Sequence, residues 1–268
     1  MTVHPFRFAA VAGYAPSGEA WAGLARRTES LGYDTLLIPD TLRTFSPFAA
    51  AAAAAAVTTT LRVGTYVAAV PYRTAAALAH EAKTVHELSG GRFDLGLGAG
   101  RPGAEEEAAV LGMPFGTPGE RVAKVAEVIG RVGGMPILLA AAGTRLLKLA
   151  AERADIVALG LPATATEDEL GAKLDELYEL AGDRFDQLLI NTNLAAVGEE
   201  IPEWLSRQLG GSAREIIARG GYGILTGSPE EMAETLRRRR DKLGISYISV
   251  NAQFLDAFAP VLRLLAGT

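Results

Sequence analysis

The residues Gly98-Ala99-Gly100-Arg101-Pro102-Gly103 follow the alternating run Phe93-Asp94-Leu95-Gly96-Leu97. A buried strand that empties into glycines lets a backbone approach a ligand where no side chain intervenes. The spacing Gly98-x-Gly100-x-x-Gly103 also fits the dinucleotide fingerprint, with the acidic run Glu105-Glu106-Glu107 behind it. In that fingerprint the helix begins within the glycines, whereas Pro102 deletes a backbone N–H that could face a pyrophosphate. A tight strand-to-helix turn with no ligand explains the motif equally well, so the surrounding residues decide.

Two further stretches carry chemistry. Ala141-Ala142-Gly143-Thr144 opens a helix, where free N–H groups and the helix dipole make a phosphate seat; an ordinary turn is the alternative. Asp40 follows the apolar run Thr35 to Ile38, either as a Pro-Asp turn residue or as a carboxylate aimed at a ligand. The chain has no cysteine, and its only histidines are His4, His80 and His86. These exclude thiolate chemistry and leave no metal set. Strand ends rich in glycine, alanine, amide and hydroxyl groups suit a flat organic cofactor that brings its own reactivity.

Hydrophobic periodicity supplies the elements that hold these residues. Strands are expected at Arg7–Ala12, Thr35–Ile38, Leu61–Val70, the run ending at Gly98, Pro136–Ala140, Asp155–Leu159, within Gln187–Val197, and at Ile245–Val250. Helices alternate with them, signalled by Ser46-Pro47 and by capping boxes at Thr117, Thr166 and Ser228. The segment through Trp204 toward Ile224-Leu225 reads as irregular. Eight strands alternating with eight helices in 268 residues predict one (β/α)8 TIM barrel spanning residues 1–268. A doubly wound sheet with its nucleotide turn at Gly98 is the competitor. The net charge of −5 and the lack of a basic patch other than Arg237–Arg240, inside a helix pattern, argue against nucleic acid. No apolar run reaches membrane-span length, and the N-terminal stretch MTVHPFRFAAVAGY has no signal-peptide pattern. A soluble, cytoplasmic protein is expected, a homodimer acting on a small molecule.

Five stretches together resemble the bacterial luciferase-like family, and within it the actinobacterial oxidoreductases that use the deazaflavin coenzyme F420. They are Arg27–Asp34 with Pro39-Asp40, Thr60–Thr65 onward to Arg73, Leu88–Arg92 through Gly100 with Glu107 and Gly112, Ala142-Gly143 with Leu149-Ala150 and Ala154–Val157, and Gly227–Glu231 with Gly244–Ser246.

The resemblance implies a barrel whose cofactor lies at the C-terminal strand ends. Asp40 would stand beside the deazaflavin ring or its ribityl chain. Tyr66-Val67, in a strand end that continues through Ala69, would carry a bulge, often a non-proline cis peptide, against which the ring leans. Gly98, Ala99 and Gly100 would pass under it. Ala141, Ala142, Gly143 and Thr144 would hold the phosphate, with Gly160 flanking. Asp40, Tyr14, Arg43 or Arg73 would polarise the substrate. The implied reaction moves hydride between F420 and an organic substrate; an FMN-dependent monooxygenase and a non-catalytic barrel that has lost its cofactor are the alternatives. Where family members usually carry an acidic residue this chain has His86, where many carry histidine it has Thr41, and the stretch between Ile129 and Pro136 is short, so shortened loops shape the expected pocket.

Overall fold

The structure, a computed structural model, describes residues 4–268; Met1 to Val3 of the N-terminal stretch lie outside it. In chain order the first half runs β1 (Arg7–Val11), α1 (Gly18–Ser30), β2 (Thr35–Ile38), α2 (Pro47–Ala56), β3 (Arg62–Thr65), β4 (Ala68–Ala69), α3 (Ala75–Leu88), β5 (Phe93–Gly98), α4 (Ala104–Val110) and α5 (Pro118–Arg131). The second half runs β6 (Ile137–Ala141), α6 (Thr144–Arg153), β7 (Ile156–Leu159), α7 (Glu167–Ala181), β8 (Leu189–Leu194), β9 (Ala196–Val197), α8 (Glu203–Leu209), α9 (Ala213–Ala218), β10 (Ile224–Leu225), α10 (Pro229–Leu243), β11 (Ile245–Asn251) and α11 (Leu255–Leu265).

Parallel pairing runs β3-β2-β1-β11-β8-β7-β6-β5, and β3 pairs β5 to close the ring. This is a (β/α)8 barrel, and the doubly wound alternative fails because no edge remains on the main sheet. The strands read as apolar runs because each is covered on both faces. Leu36 and Ile38 pack outward against the helices, whereas Leu37 joins Ala9, Leu138, Ile156, Ala158 and Tyr247 inside the barrel.

The end of the barrel where the strands begin is sealed by charge. Asp94 accepts from Arg7 and from Arg62 (Nη2 at 2.6 Å), and the Arg7 guanidinium lies 4.6 Å from the centre of the Tyr247 ring. The Asp94 side chain is 1% exposed, so the network replaces water that these charges would otherwise need.

Three local readings change. The stretch Leu61–Val70 is not one strand: β3 stops at Thr65, and β4 resumes at Ala68 after a bulge. The acidic run after Gly103 is itself helical, as α4, with Gly103 as its cap at φ 80°. The segment between β8 and α10 holds α8 and α9, and β9 pairs β10 in a small second sheet. Ser212 and Glu215 form a capping box that starts α9. No described helix is long and apolar enough to cross a membrane.

Candidate functional site

The C-terminal ends of β2, β5, β6 and β7 and the bulge after β3 surround a pocket of about 360 Å³. It is lined by Pro39, Asp40, Thr41, Tyr66, Val67, Ala69, Gly98 to Pro102, Ala140, Ala142 and Gly160. Its size lies in the range of small-ligand sites, and its walls are mostly apolar or backbone. Tyr66 and Val67 are joined by a cis peptide, and both side chains pack on the cluster inside the barrel. Gly98 is required by this packing: a Cβ there would come within 2.6 Å of Val67 Cγ2. Gly100, at φ 102°, turns the chain out of the strand toward Arg101 in a conformation that disfavours side-chain-bearing residues.

Asp40 is buried and lines the pocket, but its carboxylate is already engaged. It accepts from the Ala69 N–H at 3.0 Å and from Arg73 Nη1 and Nη2 at 2.5 and 3.2 Å. Arg73 reaches Glu81 through Nε at 2.9 Å, and its guanidinium lies 5.2 Å from the centre of the Phe48 ring. Asp40 therefore does not cap its own turn; it ties the end of β2 to β4 and to the start of α3. Arg73 stands outside the pocket lining, with its donors directed at two carboxylates. Tyr14 and Arg43 are exposed and also outside the lining, Tyr14 packing its ring 5.5 Å from that of Phe45. Of the four residues expected to polarise a substrate, the structure brings Asp40 alone to the pocket wall.

A second opening of about 340 Å³ shares Ala99, Gly100, Ala140 and Ala142 with the first and leads to the N-terminus of α6. Gly143 caps that helix and has no side chain of its own to bond the first-turn N–H groups. Arg121 and Arg145 line the same opening. An exposed helix start in an opening that two arginines also line is a seat for an anion. Thr144 lines it too, but its hydroxyl is shared with Glu176 of α7, whose charge Lys173 offsets from 2.6 Å. Ala141 turns its side chain into the core between barrel and helices; its neighbours Ala140 and Ala142 face the openings.

Residues 1–133 match the family model described as luciferase-like monooxygenase. The first half of the chain is thus similar to that family. A 5,10-methylenetetrahydromethanopterin reductase of Methanolobus tindarius is 27% identical over 158 residues, which cover 50% of this chain and 48% of the relative. The aligned region thus spans about half the length of that curated relative. Among solved structures, an F420-dependent secondary alcohol dehydrogenase in complex with an F420-acetone adduct superposes with a TM-score of 0.75 at 14% identity, over 98% of both chains. A riboflavin lyase with modified FMN and riboflavin superposes with a TM-score of 0.72 at 13% identity, over 97% of this chain and 92% of that one.

Several pairings among the side chains that shape the pocket escape a reading of the sequence. Glu107 of α4 accepts from the Tyr72 hydroxyl at 2.6 Å, from the Leu42 N–H at 3.3 Å and from Arg101. Burial alone would raise its carboxyl, but these hydrogen bonds hold it below the usual range. Glu107 thereby joins the loop after β2, the turn after β4 and the glycine loop. Arg121 donates to the Ala99 carbonyl at 2.7 Å and lies 4.1 Å from the centre of the Phe115 ring, fixing the glycine loop from behind. Tyr66 donates across the barrel to Asn191 of β8 at 2.7 Å. Capping and periodicity signals are local, and none of them pairs residues this far apart in the chain.

Proposed function

We propose that this chain is an oxidoreductase that transfers hydride between coenzyme F420 and a small organic substrate. The observation that carries the reading is the pair of joined openings: an apolar pocket walled by Val67, Gly98 and Ala99, continuous with an electropositive helix start at Gly143. A flat ring fits the first opening and a phosphate on its side chain fits the second, so the residues present suit a ring cofactor with a phosphorylated tail. The name of the F420-dependent dehydrogenase supports deazaflavin as that cofactor, and the reductase relative supports a redox reaction. When bound, the deazaflavin supplies the carbon that accepts or delivers hydride.

The chain's own share is placement. Val67 and the glycine loop give the ring a close surface with little water. Asp40, held by Arg73, offers its carboxylate at the mouth of the pocket as a fixed hydrogen-bond acceptor for a hydroxyl of the cofactor or substrate. Thr41 and Arg101 complete that mouth. FMN is the competing occupant, because the seat at α6 reads a phosphate and both cofactors carry one; the riboflavin lyase structure supports this second reading. Titration with each cofactor tests the proposal. F420 should bind with micromolar or better affinity and FMN more weakly. Tight FMN binding with no F420 binding would transfer the reading to a flavin enzyme, and binding of neither would make the barrel non-catalytic.

A further inference from the structure

The hydroxyl of Tyr66 has a fixed polarity, set from the opposite side of the barrel. Asn191 is fully buried, and its Nδ2 lies 3.2 Å from the backbone carbonyl of Tyr247 and 3.4 Å from Ser249 Oγ. A carbonyl oxygen only accepts, so the amide nitrogen must face it, and the amide oxygen must face Tyr66. That oxygen is 2.7 Å from the Tyr66 hydroxyl and has no proton to give, so Tyr66 is the donor of this bond. The Ser249 hydroxyl, beside both groups, has the Thr192 carbonyl and Asn193 Oδ1 at 3.2 Å. Burial also pushes the Tyr66 phenol above its ordinary range, so it keeps its proton at neutral pH.

Tyr66 nevertheless lines the pocket. Its single proton is given to Asn191, so toward a bound molecule the phenol oxygen can only accept. We propose that Asn191 holds Tyr66 as a hydrogen-bond acceptor and that Tyr66 thereby selects a ligand carrying an N–H or O–H donor where it meets the pocket. The proposal rests on the cofactor reading above and adds a specificity residue to it. It also removes Tyr66 as a proton donor to a substrate oxygen. On 5-deazariboflavin the donor has two sources, the imide N–H of the ring and the hydroxyls of the ribityl chain.

The test titrates three probes into the full chain and into Tyr66→Phe: 5-deazariboflavin, its N3-methyl derivative, and the same ring bearing methyl in place of ribityl. Removing the phenol oxygen should weaken 5-deazariboflavin roughly five- to tenfold, the size of one neutral hydrogen bond. The loss should vanish for the one probe that lacks the donor Tyr66 reads: the N3-methyl derivative if the source is the imide, the methyl-substituted ring if it is the ribityl chain. No loss for any probe, or an equal loss for all three, overturns the selection. Asn191→Leu, which frees the phenol proton, should reduce the preference between donor-bearing and donor-lacking probes without removing the oxygen. An undiminished preference would overturn the role of Asn191. Failure of all three probes to bind an unmutated chain that does bind F420 would overturn the ligand selection alone, and failure of F420 as well would sink the cofactor reading with it. The apo melting temperature judges the Tyr66–Asn191 bond in either case: it should fall in Tyr66→Phe, and an unchanged value would contradict the bond.

Discussion

Asp40 is held from two sides, and that changes what its removal does. As a turn cap it would stabilise only its own loop, and as a free carboxylate it would matter only to a ligand. In the structure its two oxygens satisfy the Ala69 N–H and the Arg73 guanidinium while one edge faces the pocket. Asp40→Ala should therefore lower apo stability by about 1–3 kcal/mol, because a partly buried cation and an N–H lose their acceptor. It should weaken cofactor binding as well. Melting and cofactor titration on the same variant check this; normal binding with lower stability would reduce Asp40 to a strut. The position of Asp40 at a strand end was legible in the sequence, since Thr35–Ile38 is a run of four buried residues ending at Pro39. Its partners were not, because Ala69 and Arg73 reach it only through the bulge and turn that follow β3.

At the scale of elements, two carboxylates pin loops and make them sensitive to acid. Glu29 at the end of α1 accepts from the N–H groups of Thr59, Thr60 and Leu61, which open the way into β3. Burial would raise its carboxyl, but the backbone hydrogen bonds outweigh this and bring it to about 2. Glu107 is held low in the same sense at the glycine loop. A carboxylate whose folded value is depressed stabilises the fold at pH values above its unfolded value, near 4.5, and loses that contribution as pH falls toward the folded value. Stability should thus decline between about pH 4.5 and 2, and Glu29→Gln should flatten that decline while lowering stability at neutral pH. An acid limb identical to that of the unmutated chain, in denaturation followed across pH, would remove Glu29 from the account. The helices were legible where caps announce them: the boxes at Thr117, Thr166 and Ser228 all form. The short elements α4, α8, α9, β9 and β10 were not, because six or seven residues give too little periodicity and a two-residue strand gives none. The break in β3 carries no periodic signal, since Tyr66 and Val67 both face inward.

The whole molecule separates stability from function along the barrel axis. Asp94, Arg7 and Arg62 close the end where the strands begin, and the pocket lies at the other. Asp94→Ala would leave two partly buried guanidinium groups without their acceptor and should cost about 3–5 kcal/mol of stability. Cofactor affinity of the folded protein should not change; a parallel loss of affinity would mean that the two ends are coupled. The barrel itself was legible from eight buried runs and their alternating helices, as was the position of the glycine turn on the fourth of them. The seat at α6 is the decisive part of the functional account because it joins charge, an open helix start and the apolar pocket. Gly143 tests it cleanly, since a Cβ added there meets no atom within 4 Å and its φ of −89° suits any residue. Fluorescence titration of F420 into the unmutated chain and into Gly143→Asp is the most direct measurement. Saturable quenching by the unmutated chain, at least tenfold weaker in a Gly143→Asp protein of unchanged melting temperature, is predicted from repulsion of the phosphate by the new carboxylate. Equal quenching by both proteins would move the phosphate away from α6, and no quenching by either would contradict the F420 assignment.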